Sequence, residues 1–255
     1  MLGALEVRCR GTRVDIGGPK QRMFLLSLLL HVNQPVSLSW LTDALWDGEP
    51  PVSATANLRT YAMSLRRVLV VLDDVRLTTR DAAYQLDASA DRIDMTGFRR
   101  LAAEGRRALR RGDFRAAEAH LREAASLWRH PPTNDLRCGK PLRMWLELLA
   151  EQYLAVLEEH AEARLTFGQY DDVVMDMRVL VGREPLRERA WALLMRALYG
   201  AGNTAGALAA YASARDELME ALGIEPGEEL RALQGAVLRR DLAPARPVVA
   251  RGRWI

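Results

Sequence analysis

Residues 53–69, SATANLRTYAMSLRRVL, decide how the N-terminal third of this chain folds. Apolar residues recur there at three- and four-residue steps, which predicts a helix that is capped by Ser53 and runs to about Leu72. At about 100° per residue, one face of this helix is apolar and the opposite face is largely polar. The first face comprises Ala54, Leu58, Tyr61, Ala62, Leu65 and Leu69, and the second comprises Thr60, Met63, Ser64 and Arg67. We expect the first face in a core and the second free to contact a partner.

Two helices are predicted ahead of this stretch. Residues 20–33 carry apolar side chains on every face, which is typical of a helix buried at the centre of a domain. Ser37 is a suitable N-cap for a shorter helix over 38–46, and the segment DGEPP at 47–51 ends that helix. The 53–69 helix is therefore the third helix of its domain.

Short β-hairpins are predicted at both ends of this region. The first pairs residues 2–7 with 13–16, and the second pairs 75–79 with 84–86. Arg80 lies at the tip of the second hairpin. Three helices followed by a basic-tipped hairpin are the order of a winged helix-turn-helix, so residues 1–90 are expected to form a DNA-binding domain of that type.

From residue 91 onward the sequence predicts an all-helical domain of seven helices that extends to residue 243. Similar segments begin at Gly112 (GDFRAA), Gly168 (GQYDDV) and Gly202 (GNTAGA), and the last two are 34 residues apart, the tetratricopeptide period. The fold class is thus mainly α: a winged helix-turn-helix with short β-hairpins, followed by a tetratricopeptide-like domain. Residues 244–255 read as a basic, flexible tail.

The distribution of charge favours a polyanionic partner for the first domain. A net charge of +3 is weak evidence by itself. Residues 53–80, however, have a local basic excess that suits phosphate. This segment sets Arg59, Arg66, Arg67, Arg76 and Arg80 against Asp73 and Asp74.

Six residues are candidate DNA contacts. They are Arg59, Thr60, Ser64, Arg66, Arg67 and Arg80. Arginine binds guanine through O6 and N7, and hydroxyls read several bases less strictly, so Thr60, Ser64 and Arg67 are the expected base readers. Arg59 and Arg66 lie near the flanks of the helix, and Arg80 would enter the minor groove or neutralise a phosphate. The alternative is a solvated helix face, against which the order of the elements argues more strongly than the charge does.

Two other basic segments are less informative. Arg106, Arg107, Arg110, Arg111 and Arg115 form a one-sided stripe. A solvated face is the simpler reading of this stripe, and contact with phosphate or with the winged domain is the alternative. For the tail, a loose cationic end is the simpler reading, and an extra electrostatic DNA contact is the alternative.

No catalytic, cofactor-binding or metal-binding motif is present in the sequence. There is no phosphate-binding loop, no G-x-S-x-G element and no H-E-x-x-H pair. Cys9 and Cys138 form no C-x-x-C pair, so both are expected to be free thiols. An enzyme is therefore the least supported class of protein.

Neither a membrane span nor a secretory signal is expected. The longest apolar run, residues 23–32, is too short to cross a bilayer. Acidic Glu6 and Asp15 precede this run, and no small-residue cleavage pattern follows it. The expected location is the cytoplasm.

Several motifs together resemble the Streptomyces antibiotic regulatory protein family, whose members join an OmpR-type winged helix to a bacterial transcriptional activation domain. In the winged part the motifs are LWDGEPP (45–51), NLRTY (57–61), LRR (65–67), LTTR (77–80) and YQL (84–86). In the helical part they are SLWR (126–129), PLRER (185–189), LMRALY (194–199) and LGIEP (222–226). The resemblance covers nearly the whole chain.

The resemblance implies a cytoplasmic activator that binds repeated sites in double-stranded promoter DNA as a homo-oligomer. It further implies contact with RNA polymerase and control of a secondary-metabolite (antibiotic) gene cluster. By the family pattern Thr60, Ser64 and Arg66 face the major groove. Neither a phosphoacceptor receiver domain before the winged part nor a nucleotide-hydrolysing domain after the helical part is expected.

Ser64 and Met63, which depart from the family pattern, keep an alternative open together with the small net charge of +3. Similar proteins commonly carry arginine at the position of Ser64 and serine at that of Met63, and the wing has Asp81-Ala82-Ala83 in place of a glycine-rich turn. The alternative function is a tetratricopeptide-like interaction adaptor whose winged domain no longer reads DNA.

Overall fold

A computed structural model describes residues 1–72, 74–129 and 137–241. Asp73, His130 and the predicted basic tail at 244–255 lie outside the described residues. Contacts divide the chain into two compact units. The first comprises Met1–Leu101 and Glu123–Leu154, and the second comprises Ala102–Arg122 and Ala155–Ile255. The domain limits expected from the sequence, 1–90 and 91–243, remain predictions.

The N-terminal region contains three helices and two small antiparallel sheets. The helices are α1 (Pro19–Leu30), α2 (Leu38–Leu45) and α3 (Ala54–Leu69). Strands β1 (Val7–Cys9) and β2 (Thr12–Val14) form one hairpin. Strands β3 (Pro35–Ser37), β4 (Val75–Arg80) and β5 (Ala83–Ala88) form a sheet in the order β3-β5-β4. This arrangement confirms the predicted winged helix, with the β4–β5 hairpin as the wing.

Seven helices follow within the described residues, which is the number predicted. They are α4 (Asp94–Arg110), α5 (Phe114–Ser126), α6 (Lys140–Leu165), α7 (Tyr170–Arg183), α8 (Glu188–Gly200), α9 (Thr204–Leu222) and α10 (Glu228–Arg239). The mainly α fold class is therefore confirmed. None of the helices described is long and apolar enough to cross a membrane.

Three glycines give the helical region its repeated turn. Gly112, Gly168 and Gly202 have φ values of 72°, 72° and 82°, in the left-handed region that glycine adopts without steric cost. The amide after each glycine donates to the carbonyl five residues earlier, at N···O distances of 3.0, 3.3 and 2.8 Å. This is the Schellman ending of a helix. The similar segments found in the sequence therefore mark the same backbone turn three times.

The core of the winged region forms around α1. Its residues Met23 to Leu28 are all buried, and Phe24 is fully buried, as the apolar pattern predicts. Helices α2 and α3 and strand β5 all contact α1. The apolar face of α3 is buried as expected, except that Tyr61 is only half-buried.

Part of the helical region also packs in the first unit. The amide of Gly139 donates to the carbonyl of Ala44 at 2.9 Å. His31 of α1 lies edge-on to Trp40 of α2 and to Trp145 of α6, with ring centroids 4.7 and 4.9 Å apart. Trp40 thus packs against α1 through His31.

Local features of the winged region differ from the sequence predictions. Strand β3 was not predicted, because three residues give too short a pattern to detect. The first hairpin pairs Val7–Cys9 with Thr12–Val14, whereas Leu2 and Leu5 are buried outside its strands. Helix α3 ends at Leu69, three residues before the predicted end.

The prediction that Ser53 caps α3 is wrong at the level of its side chain. Ser53 holds the N-cap position, but its φ and ψ of −82° and 5° are not the extended values of a capping residue. Its hydroxyl accepts from Asn57 Nδ2 at 3.3 Å instead of from a backbone amide. Ser37, by contrast, is extended, and its hydroxyl accepts from the Trp40 amide at 3.1 Å.

This contrast predicts different effects for two serine-to-alanine substitutions. Ser37→Ala removes a true cap and should lower the free energy of unfolding by about 1 kcal/mol. Ser53→Ala removes only an exposed side-chain contact and should change it by less than about 0.5 kcal/mol. Urea denaturation followed by circular dichroism measures both. Equal losses for the two variants would contradict the assignment of the caps.

Candidate nucleic-acid interface

The outward face of α3 is a polar surface that the fold leaves largely exposed in the winged region. Thr60 and Arg67 are exposed, Met63 is 55% exposed, and Ser64 is half-buried. The opposite face packs into the core through Leu58, Ala62, Leu65 and Leu69. The two faces therefore separate as the sequence predicts, and the helix is held by one side only.

Two hydroxyl groups on this face differ in their hydrogen-bonding state. Thr60 Oγ1 donates to the carbonyl of Ala56 at 3.1 Å, so its proton is used within the helix and its lone pairs remain as acceptors. The Ser64 hydroxyl has no hydrogen bond to another group in the described part of the chain, so it is able to donate and to accept. Thr60 is thus the more restricted reader of the two.

Two arginines of α3 extend into solvent. Arg59 and Arg67 are both exposed, and neither forms an ion pair within the described residues. Arg67 lies on the same face as Thr60, whereas Arg59 lies on the flank. A guanidinium that no carboxylate neutralises retains its five donors for a phosphate or a guanine.

Arg66 is engaged with the protein itself. Its Nε donates to the carbonyl of Leu77 at 3.0 Å, and its Nη2 donates to Thr79 Oγ1 at 2.6 Å. The guanidinium carbon lies 6.0 Å from the centroid of the Tyr84 ring. The structure therefore places this residue between α3 and the wing, although the family resemblance implies that it faces the major groove.

The wing presents its arginines at the edge and the tip of the hairpin. Arg76 and Arg80 are exposed, and Arg80 pairs with Ala83 at the last position before the turn. The turn consists of Asp81 and Ala82, and Asp81 has a φ of 38°. Aspartate tolerates this left-handed conformation better than most residues, which explains how the turn forms without glycine.

Aromatic residues connect the wing to the core. Tyr84 of β5 is buried, and its ring meets that of Phe24 edge to face, with centroids 5.5 Å apart and planes at 83°. Tyr61 of α3 also approaches Phe24, at 6.3 Å. Such pairs contribute roughly 0.5–1.5 kcal/mol beyond the burial of their area. The buried ring of Phe24 therefore packs against both α3 and the wing.

Sequence reasoning missed the residues that fix the wing. Asn33 has a φ of 64° after α1, donates from Nδ2 to the carbonyl of Ala88 at 3.1 Å, and accepts from the Ala88 amide at 3.0 Å. Thr79 accepts from Arg66, as described above. Asparagine just after a helix is a recognised helix-ending signal, so Asn33 could have been found, whereas the partner of Thr79 could not.

Other basic residues have structural partners. Lys20 Nζ donates to the carbonyl of Leu45 and lies 5.5 Å from the centroid of the Trp46 ring, and burial lowers its pKa. Arg106, in the second unit, is paired with Glu159 at 2.8 Å. The rest of that arginine stripe, Arg107, Arg110, Arg111 and Arg115, is exposed.

The described residues contain no cluster suited to a metal ion. Cys9 and Cys138 are both free thiols, as predicted. Cys138 is buried, and burial raises the pKa of its thiol, so the group is protonated at neutral pH.

Comparison with known proteins gives consistent matches along the chain. Residues 93–238 match the bacterial transcriptional activator domain. The chain is 36% identical over 250 residues to the regulatory protein DnrI of Streptomyces peucetius, and the alignment covers 94% of this chain and 92% of that protein. It is 35% identical over 244 residues to the transcriptional regulatory protein MoaR1 of Mycobacterium tuberculosis, with 94% of this chain and 78% of that protein covered.

A solved structure has the same fold. It is that of Mycobacterium tuberculosis EmbR in complex with a low affinity phosphopeptide. The TM-score is 0.87 at 32% sequence identity, and the match covers 96% of this chain and 65% of that one. The similarity therefore extends over both the winged and the helical parts.

Proposed function

Because the chain belongs to the Streptomyces antibiotic regulatory protein family of transcriptional regulators, we propose that it is a sequence-specific DNA-binding activator whose reading surface is the outward face of α3 with the adjacent wing. One observation carries this assignment. Arg67 projects without an ion-pair partner among the described residues from the exposed face of a helix, and the hairpin packed beside that helix carries Arg80 next to its turn. A helix of this kind fits the major groove, and a basic hairpin beside it reaches the backbone or the minor groove.

Different side chains of α3 suit contacts with different groups of the DNA. Arg67 has the geometry to bind O6 and N7 of a guanine. Thr60 Oγ1, whose proton is already donated to Ala56, is restricted to accepting, as from the amino group of adenine or cytosine. Met63 offers an exposed apolar group to a thymine methyl. Arg59 lies on the flank, where it would bind phosphate.

The family relationship supports a wider proposal. We infer that the protein acts in the cytoplasm, binds repeated promoter sites as a homo-oligomer and recruits RNA polymerase to a secondary-metabolite gene cluster. Two observations support this proposal. The helical region matches a bacterial transcriptional activator domain, and the alignment with the regulatory protein DnrI of Streptomyces peucetius covers 92% of that protein.

Activation is testable by transcription in vitro. With purified RNA polymerase and templates that carry the promoters of neighbouring genes, added protein should raise transcript yield several-fold from promoters that contain its footprint. A variant with Arg67→Ala should need a higher protein concentration to reach the same yield, because weaker binding lowers its occupancy of the site. Unchanged or lower yield from every footprinted promoter would contradict activation.

Arg67→Ala tests base reading. Loss of a bidentate contact should weaken binding to the preferred duplex by about 1–3 kcal/mol and relax the preference at one G·C pair. Fluorescence anisotropy with the preferred duplex and with duplexes mutated at that pair measures both effects. Arg178→Ala is the matched control, because Arg178 is an exposed arginine on α7 and its removal changes the net charge equally.

Two results would oppose DNA reading by α3. The first is equal affinity of the wild-type protein for preferred and random duplexes at physiological salt. The second is an Arg67→Ala variant that behaves like Arg178→Ala. Either result, together with a protein partner recovered on the helical region, would favour the adaptor function.

Arg80→Ala tests the wing. Since Arg80 is proposed to contact the backbone or the minor groove, its removal should weaken binding to all duplexes by a similar factor. It should also reduce the slope of log K against log salt by about 1. Titrations at several salt concentrations measure the slope. A change confined to one base pair, with an unchanged slope, would instead make Arg80 a base reader.

A further inference from the structure

The geometry points to Arg66 as a positioning residue that fixes the wing to the recognition helix and does not itself read DNA. The inference rests on the proposed function, since it assigns a role within the same surface. It separates two adjacent arginines of similar chemistry. Arg66 holds the wing against α3, whereas Arg67 contacts DNA.

The contacts of Arg66 leave it little freedom to reach a base. Its Nε and Nη2 donate to two residues of β4, Leu77 and Thr79, at 3.0 and 2.6 Å. The side chain is half-buried, whereas that of Arg67 is exposed. Both acceptors lie on one strand, so the guanidinium holds β4 at two points. Reaching a guanine would require both bonds to break.

The position of β4 explains why these two hydrogen bonds from Arg66, which we call the Arg66 tie, are needed. β4 is an edge strand, because the sheet order is β3-β5-β4. One side of an edge strand has no neighbouring strand for its carbonyl and amide groups. The bond from Arg66 to the carbonyl of Leu77 satisfies one of these groups. It also joins the free edge of the wing to α3.

Helix geometry places Arg66 on the side of α3 that faces the wing. Arg66 is six residues after Thr60, which corresponds to about 120° around the helix, whereas Arg67 falls within about 20° of Thr60. Beyond β4, the guanidinium approaches Tyr84, and Tyr84 packs on Phe24 in the core. The tie is therefore anchored to the buried centre of the domain.

The consequence concerns the spacing of DNA contacts. If α3 lies in the major groove, the wing tip reaches a fixed distance along the duplex only while β4 is held to the helix. Arg66 thereby sets which phosphates or minor-groove positions Arg80 contacts, without touching DNA. Lysine is a poor substitute, because its ammonium is a single point of charge and cannot hold two acceptors in the geometry of the guanidinium.

The first arm of the test uses the free, full-length protein. Arg66→Lys keeps the charge but should increase hydrogen–deuterium exchange of the amides in β4 and β5 by roughly tenfold, the size expected for loss of a charge-assisted hydrogen bond. Thr79→Val keeps the shape of the side chain, removes only the acceptor at Oγ1, and should give a smaller increase. Arg67→Lys is the matched control and should leave exchange unchanged.

The second arm uses duplexes that the wild-type protein selects from a random pool. Methylation protection reports guanine N7 in the major groove, and hydroxyl-radical cleavage reports the backbone and minor groove. Arg66→Lys should keep guanine protection and lose at least half of the protection on the wing side of the site. Arg67→Ala should show the opposite pattern.

The possible results separate the two proposals. Wild-type exchange rates in Arg66→Lys would overturn the tie, and so would loss of guanine protection equal to that of Arg67→Ala, which would make Arg66 a base reader. If the wild-type protein selects no duplex, the proposed function fails, and the exchange arm alone decides the role of Arg66.

Discussion

The burial of one face of α3 determines how the helices and the wing of the winged region pack together. Leu58, Ala62 and Leu65 are buried in the core, whereas Thr60 and Arg67 on the same helix remain exposed to solvent. Helices α1 and α2 and strand β4 all contact α3, and together they bury its apolar side. Each fully buried leucine contributes roughly 1.5–3 kcal/mol, far more than any single surface contact. The helix is thus held firmly by its apolar face while its polar face remains available.

Charge alone would not have located the interface. The chain has a net charge of only +3, and many of its arginines are paired within the fold. Arg66, Arg106 and Arg187 all donate to groups of the protein, and the last of these pairs with the buried Glu158 at 2.6 Å. What distinguishes Arg67 and Arg80 is that the fold leaves them exposed on neighbouring elements. The candidate surface is therefore defined by exposed arginines that have no ion-pair partner among the described residues.

Much of the fold could be predicted because its signals are local. The two faces of α3, the Ser37 cap and the three glycine turns each depend on residues within one or two helical turns. The sequence could not supply contacts between distant segments. The hydrogen bonds of Arg66 join helix α3 to strand β4, to residues 11 and 13 positions later in the chain. His31 and Trp145 are far apart in the sequence and come into contact only when the chain folds. Ser53 shows that a suitable residue type at the N-cap is not sufficient. Its hydroxyl can accept from a backbone amide of the helix only if its own backbone is extended, and it is not.

We propose that the outward face of α3 reads DNA while Arg66 keeps the wing in place. A structure of the protein bound to its preferred duplex tests both halves at once. We expect α3 in the major groove with the Arg67 guanidinium at a guanine, and Arg66 still bonded to Leu77 and Thr79. A complex in which α3 faces away from the duplex would contradict DNA reading by this helix, and one in which Arg66 leaves β4 to contact a base would contradict its positioning role.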